Sequence, residues 1–146
     1  MAINTQKWVV GGVVTGIVMN VIDFLVNKFV FGARYVAELN AFKAGLGDTA
    51  MAGNAVWVYV VFDLIIGLAL IWTYAAMRPR FGPGFKTLAY AAILFWVLFS
   101  IAYYGYMQMG MMSSGLWWQF GLVGLINLLI SGAIGARLYS EDAVAP

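Results

Sequence analysis

The sequence predicts an all-α integral membrane protein: a four-helix bundle with a short amphipathic surface helix in its first loop. Three observations carry this reading. Of the 146 residues, 64% are hydrophobic and only 10% are charged, against roughly 25% charged in an average soluble domain. A chain this small has too much surface to hide that apolar content from water. Four apolar stretches, at about 8–31, 55–77, 87–108 and 116–138, each reach the ~20 residues that a membrane-crossing helix needs. No linker divides the chain, so 1–146 reads as a single membrane domain.

The first stretch runs from Trp8 to Phe31. It is too long for the apolar region of a cleaved signal peptide, and it contains Asn20, Asp23, Asn27 and Lys28. The loop from Gly32 to Asn54 carries Tyr35, Leu39, Phe42 and Leu46 at helical spacing, with Arg34, Glu38 and Lys43 off that stripe. Gly45 and Gly47 are expected to end it. Such a helix suits a membrane surface or a partner's surface equally.

The second stretch, Ala55–Met77, leads into Arg78-Pro79-Arg80-Phe81-Gly82-Pro83-Gly84-Phe85-Lys86. Its prolines and glycines predict a tight turn that stops both flanking helices. Arg78, Arg80 and Lys86 there are candidate contacts for anionic lipid, or simply topology determinants. The third stretch, Thr87–Gln108, ends in an uncharged connection with Met107, Met109, Met111 and Met112. Thioethers can select copper(I), but with no histidine or cysteine in the chain flexible packing is the preferred reading. The fourth stretch runs from Leu116 to Leu138. Trp8, Trp57, Trp117 and Trp118 sit near span ends as interfacial anchors.

Basic residues set the orientation. Lys7, Arg78, Arg80, Lys86 and Arg137 fall on one side, and Lys28, Arg34 and Lys43 on the other. The positive-inside rule then places both termini in the cytoplasm.

The most informative pattern is a row on the first helix: Gly12, Gly16, Asn20, Asp23 and Asn27, spaced as one helical face. Small residues admit a second backbone, and polar ones hydrogen-bond across the contact. Gly124, Asn127, Ser131 and Gly135 form a related row on the fourth helix, Tyr59, Asp63 and Gly67 on the second, and Ser100, Tyr104 and Gln108 on the third. Asp23 and Asp63 come to the same depth. A carboxylate in hydrocarbon costs at least ~2.5 kcal/mol. The pair is therefore expected to share a proton, to stay neutral as donors, or to draw Lys28 inward as counter-ion.

The chain resembles the uncharacterised small four-helix inner-membrane proteins of bacteria, through Gly16-Ile17-Val18-Met19-Asn20-Val21-Ile22-Asp23-Phe24 and Tyr74-Ala75-Ala76-Met77-Arg78-Pro79-Arg80-Phe81-Gly82-Pro83-Gly84. The resemblance implies a fold and a bacterial location, and no chemistry. It is less similar to the small multidrug transporters, which carry a glutamate in the first helix.

The absence of histidine and cysteine removes the commonest general base, thiol chemistry and the usual haem ligands. No nucleophile–base pair, cofactor site or metal site is legible, and no basic run suggests nucleic acid. The expected function is a non-catalytic accessory or scaffold subunit, surrounded by membrane lipids and packed laterally among other subunits of a larger complex, photosynthetic or respiratory. The competing expectation is a homo-oligomeric proton-coupled transporter using Asp23 and Asp63.

Overall fold

The computed structural model describes residues 3–140. Six α-helices follow one another: α1 (Thr5–Val26), α2 (Gly32–Phe42), α3 (Leu46–Ala50), α4 (Gly53–Phe81), α5 (Phe85–Gln108) and α6 (Ser114–Leu138). Four helical stretches are long and apolar enough to cross a membrane. This is a multi-pass four-helix bundle, as the apolar stretches predict. In this antiparallel arrangement α1 packs between α4 and α6, and α5 leans on α6 and α4.

The helix N-termini have recognisable starts. Asn4 caps α1, its side chain accepting from the Lys7 N–H at 3.0 Å. Ser113 caps α6, its hydroxyl accepting from the Leu116 N–H at 3.2 Å. Either cap satisfies a donor that the first helical turn leaves open.

Two boundaries differ from the sequence reading. The turn after the second span does not begin at Arg78, because α4 continues through Pro79 to Phe81. Proline forfeits only its own N–H near a helix end. What stops α4 is Gly82, whose positive φ of 81° breaks the helical path while its N–H donates to the Arg78 carbonyl at 2.8 Å. The first-loop helix is likewise not a free-standing element. It continues α1 through a π-helical turn, Asn27–Phe31, so that Thr5–Phe42 forms one 38-residue helical run. The run is not straight: Phe31, with φ −134° and ψ 0°, leaves the helical region at the start of α2. Gly32 makes the wide turn feasible, since a Cβ there would collide with the Asn27 carbonyl. The predicted stripe is also interrupted: α2 ends at Phe42, and Leu46 begins α3 after Gly45 at φ 78°.

Burial is uneven along the bundle axis. The end carrying the α4–α5 turn, called here the basic end, is densely packed. Met19, Leu70, Ile71, Tyr74, Ala75, Leu88, Ala91 and Leu128 form one buried cluster there. Glycines bring the backbones together: a Cβ on Gly12 would lie 2.7 Å from Leu68 Cα, and one on Gly67 would lie 2.5 Å from the Gly12 carbonyl oxygen. Gly11 and Gly135 make the same approach between α1 and α6, with Thr15 filling the gap. At the opposite, α2 end, a separate small cluster holds Phe31, Met112 and Leu116.

The α2 end is fastened by a polar knot. Glu38 accepts from the Ser113 N–H at 2.7 Å and from the Ser113 hydroxyl at 2.8 Å. Arg34 pairs with Glu38 at 2.9 Å and donates to the Ser113 hydroxyl at 2.9 Å. The knot ties α2 to the start of α6. Replacing Glu38 with alanine should release α2 and α3 locally, raising amide exchange and proteolysis at 32–50. The midpoint of global unfolding should hardly move, since the buried core lies elsewhere.

Candidate functional site: a polar cleft between the helices

Between the two apolar clusters lies a cleft of about 150 Å³. Its walls come from α1 (Met19, Asp23), from α5 (Trp96, Ser100, Tyr103) and from α6 (Phe120, Asn127). Helix α4 supplies only Ile66, and nearly all of its first ten residues are exposed. The cleft is therefore least walled on the α4 side. The reason is visible on α5, whose buried residues, Thr87, Leu88, Ala91 and Ala92, all lie in its first two turns. Farther along, α5 is held to α6 by two indoles: Trp96 donates to the Gly121 carbonyl at 2.8 Å, and Trp117 donates to the Ser100 carbonyl at 3.1 Å.

Asp23 and Asn127 form the polar centre. The Asn127 amide donates to Asp23 Oδ1 at 2.6 Å and to the Met19 carbonyl at 3.4 Å. Asn127 is 2% exposed, and its own Oδ1 has no donor among the described residues. Asn27 also lines the cleft, but its amide is spent on the Asp23 carbonyl at 2.9 Å. Four aromatic rings gather at the α2 end of the cleft: Phe120 lies 4.5 Å from Phe31, 5.4 Å from Tyr35 and 5.5 Å from Tyr103, between centroids. The π turn is what swings Phe31 into that group, and such turns frequently mark functional sites.

The predicted seam divides here. Gly12, Gly16 and Asn20 meet α4: a Cβ on Gly16 would lie 2.6 Å from Leu64 Cα, and Asn20 donates to the Val60 carbonyl at 3.2 Å. Asp23 and Asn27 instead face the cleft. At ~100° per residue the five positions share about 80° of arc, with Asp23 and Asn27 inside it, so the seam divides along the helix axis and not around it. Ser131 is fully buried but turns its hydroxyl back to the Asn127 carbonyl at 2.6 Å, bracing α6 rather than crossing to another helix. Gly124 is not a close-packing glycine, since a Cβ there meets nothing within 4 Å. It borders the cleft instead.

The two carboxylates do not share a hydrogen-bonded proton. Asp63 is 8% exposed, lies outside the cleft lining, and makes no hydrogen bond among the described residues. Lys28 is not drawn to either: its ammonium lies 5.5 Å from the ring centroids of both Phe24 and Phe29. The only ion pair among the described residues is Arg34–Glu38.

Comparison with protein-family models, curated proteins and solved structures finds no match.

Two other candidate groups have these surroundings. Arg78 stacks 5.1 Å from the Tyr139 ring and 5.8 Å from the Tyr74 ring, whereas Arg80 is exposed and Lys86 lies 6.0 Å over Tyr90. In the methionine group, Met112 is buried and Met109 is 63% exposed, so the two face opposite surroundings.

Sequence reasoning missed Gly11, Thr15, Gly132 and Tyr103. Gly11 and Thr15 lead to Met19 and Asp23 at four-residue spacing, a second row beside the one that was legible. Tyr103 was passed over for Tyr104, which makes a T-shaped contact with Trp117 and is 47% exposed.

Proposed function

We propose that the protein is a non-catalytic integral membrane subunit that packs laterally within a larger membrane complex. The observation that carries this is the uneven packing: backbones in contact at the basic end, and a polar cleft between that end and the small apolar cluster at the α2 end. Lipid tails cannot satisfy polar groups. A cleft with Asp23, Ser100 and Tyr103 on its walls suits completion by a neighbouring subunit or a bound molecule. The resemblance to small bacterial membrane proteins supports an inner-membrane location, and the basic bias supports cytoplasmic termini. The complex is expected to be an energy-transducing one, respiratory or photosynthetic. Mild detergent extraction followed by native mass measurement should find the chain in a hetero-complex. A homodimer or homotetramer alone would defeat this reading.

A second reading, a homo-oligomeric proton-coupled transporter, is favoured by one observation: a membrane-embedded carboxylate, Asp23, opens on a cleft. Against it stand the glycine contacts at the basic end. Alternating access requires one helix group to rock against another, and Gly12, Gly16 and Gly67 leave α1 and α4 no slack there.

Topology has its own test. A reporter joined after Pro146 should be active as a cytoplasmic fusion and silent as a periplasmic one. The reverse pattern would invert the bundle.

A further inference from the structure

We propose that the cleft binds a primary ammonium group, R–NH3+, with Asp23 as its counter-ion. The argument begins with an imbalance of donors and acceptors. The Asn127 Oδ1 is buried without a donor. Asp23 receives one hydrogen bond, at Oδ1 from Asn127, and its carboxylate pairs with no basic side chain. The Ser100 and Tyr103 hydroxyls line the same space and make no hydrogen bond to any described residue. Asp23 thus offers carboxylate oxygens to the cleft, and the hydroxyls can add acceptors. A primary ammonium carries three N–H donors and the positive charge that no basic side chain brings to Asp23.

The remaining lining selects the kind of cation. Phe31, Trp96, Phe99, Tyr103 and Phe120 surround the polar atoms, and aromatic faces attract organic cations. Small metal cations prefer a full shell of oxygens, which aromatic walls do not provide. The cleft, at about 150 Å³, is smaller than the ~300–1,000 Å³ of pockets for drug-sized ligands. It suits an ammonium head with a short apolar stem. That chemistry is shared by free alkylamines and by the ethanolamine head of a phospholipid entering from the open side.

The test uses the full chain in amine-free detergent. Thermal unfolding is followed with ethylammonium, tetramethylammonium or sodium chloride at equal ionic strength. In parallel, nanodiscs of phosphatidylcholine are compared with and without phosphatidylethanolamine. A ligand that binds only the folded state raises the midpoint in a saturable way. Ethylammonium should do so, and tetramethylammonium, with no N–H, should do so far less. Sodium should have no effect. Asp23→Asn should weaken ethylammonium binding at least tenfold, and Tyr103→Phe, which keeps the ring, should weaken it several-fold. Asp48→Asn, on exposed α3, should change nothing. If only the ethanolamine lipid stabilises, and does so through Asp23, the proposal holds with lipid as the source. Equal shifts from all three salts would overturn it. So would unchanged affinity in both cleft variants, or no response to either ethylammonium or the ethanolamine lipid.

Discussion

Gly16→Ala should be among the most damaging single-methyl changes in the chain, while Gly124→Ala should be tolerated. Both glycines belong to rows that look equivalent in the sequence. A Cβ on Gly16 would lie 2.6 Å from Leu64 Cα and 2.8 Å from the Asp63 carbonyl oxygen. Both obstacles are backbone, so no rotamer change relieves them. Helix α4 would have to move, disturbing the Gly67 approach and the Asn20–Val60 hydrogen bond together. Overpacking of this kind costs roughly 1–3 kcal/mol. Lipid supplies no hydrophobic drive to push the helices back, because tails are as apolar as the side chains. A Cβ on Gly124 meets nothing within 4 Å, and alanine lowers the backbone entropy cost of a helix. Thermal unfolding of the two variants in one detergent checks this. Equal midpoints would mean that α1 and α4 are not the close-packed pair.

These two glycines also show what a sequence of this kind reveals. Span number and approximate limits are legible because hydrocarbon thickness imposes them. The contact between Gly16 and α4 is legible in part, since a small residue beside Asn20 has few other reasons to recur on one face. Which glycines touch is not legible. Periodicity gives an angle about the helix axis, whereas contact depends on where the neighbour leans. Beyond Ala92 α5 buries no residue fully and is held to α6 by the Trp96 and Trp117 indoles, so Gly124 on α6 borders the cleft instead of a close helix contact. No local motif announces that cleft. The division of the polar row between α4 and the cleft was hidden for a related reason. Asp23 and Asn27 lie within the same 80° arc as Gly12, Gly16 and Asn20, and only their position along the axis, beyond the close contact with α4, turns them to the cleft. The continuation of α1 into α2 depended on a π turn that Gly32 allows but does not demand.

The second large effect concerns Asp23, where Leu and Asn should part company. Both substitutions remove the titratable group, and only Asn keeps the shape and the acceptor oxygen of aspartate. In Asp23→Asn an amide oxygen remains to accept from Asn127, now 2.6 Å from Asp23 Oδ1. In Asp23→Leu that donor keeps only the longer contact to the Met19 carbonyl, at 3.4 Å. Asn127 is 2% exposed, so water is poorly placed to compensate. An orphaned buried polar group costs about 1–3 kcal/mol, and Asp23→Leu should unfold below Asp23→Asn by that margin. The same variants separate the two functional readings. An accessory subunit needs the hydrogen bond and not the titratable proton, so Asp23→Asn should still co-purify with its complex. A proton carrier needs the carboxyl itself, because an amide cannot cycle between charged and neutral forms. Wild-type protein reconstituted alone in liposomes under a pH gradient should therefore show no proton-coupled flux. A reproducible flux that vanished in Asp23→Asn, with the fold intact, would establish the carrier and remove the accessory reading.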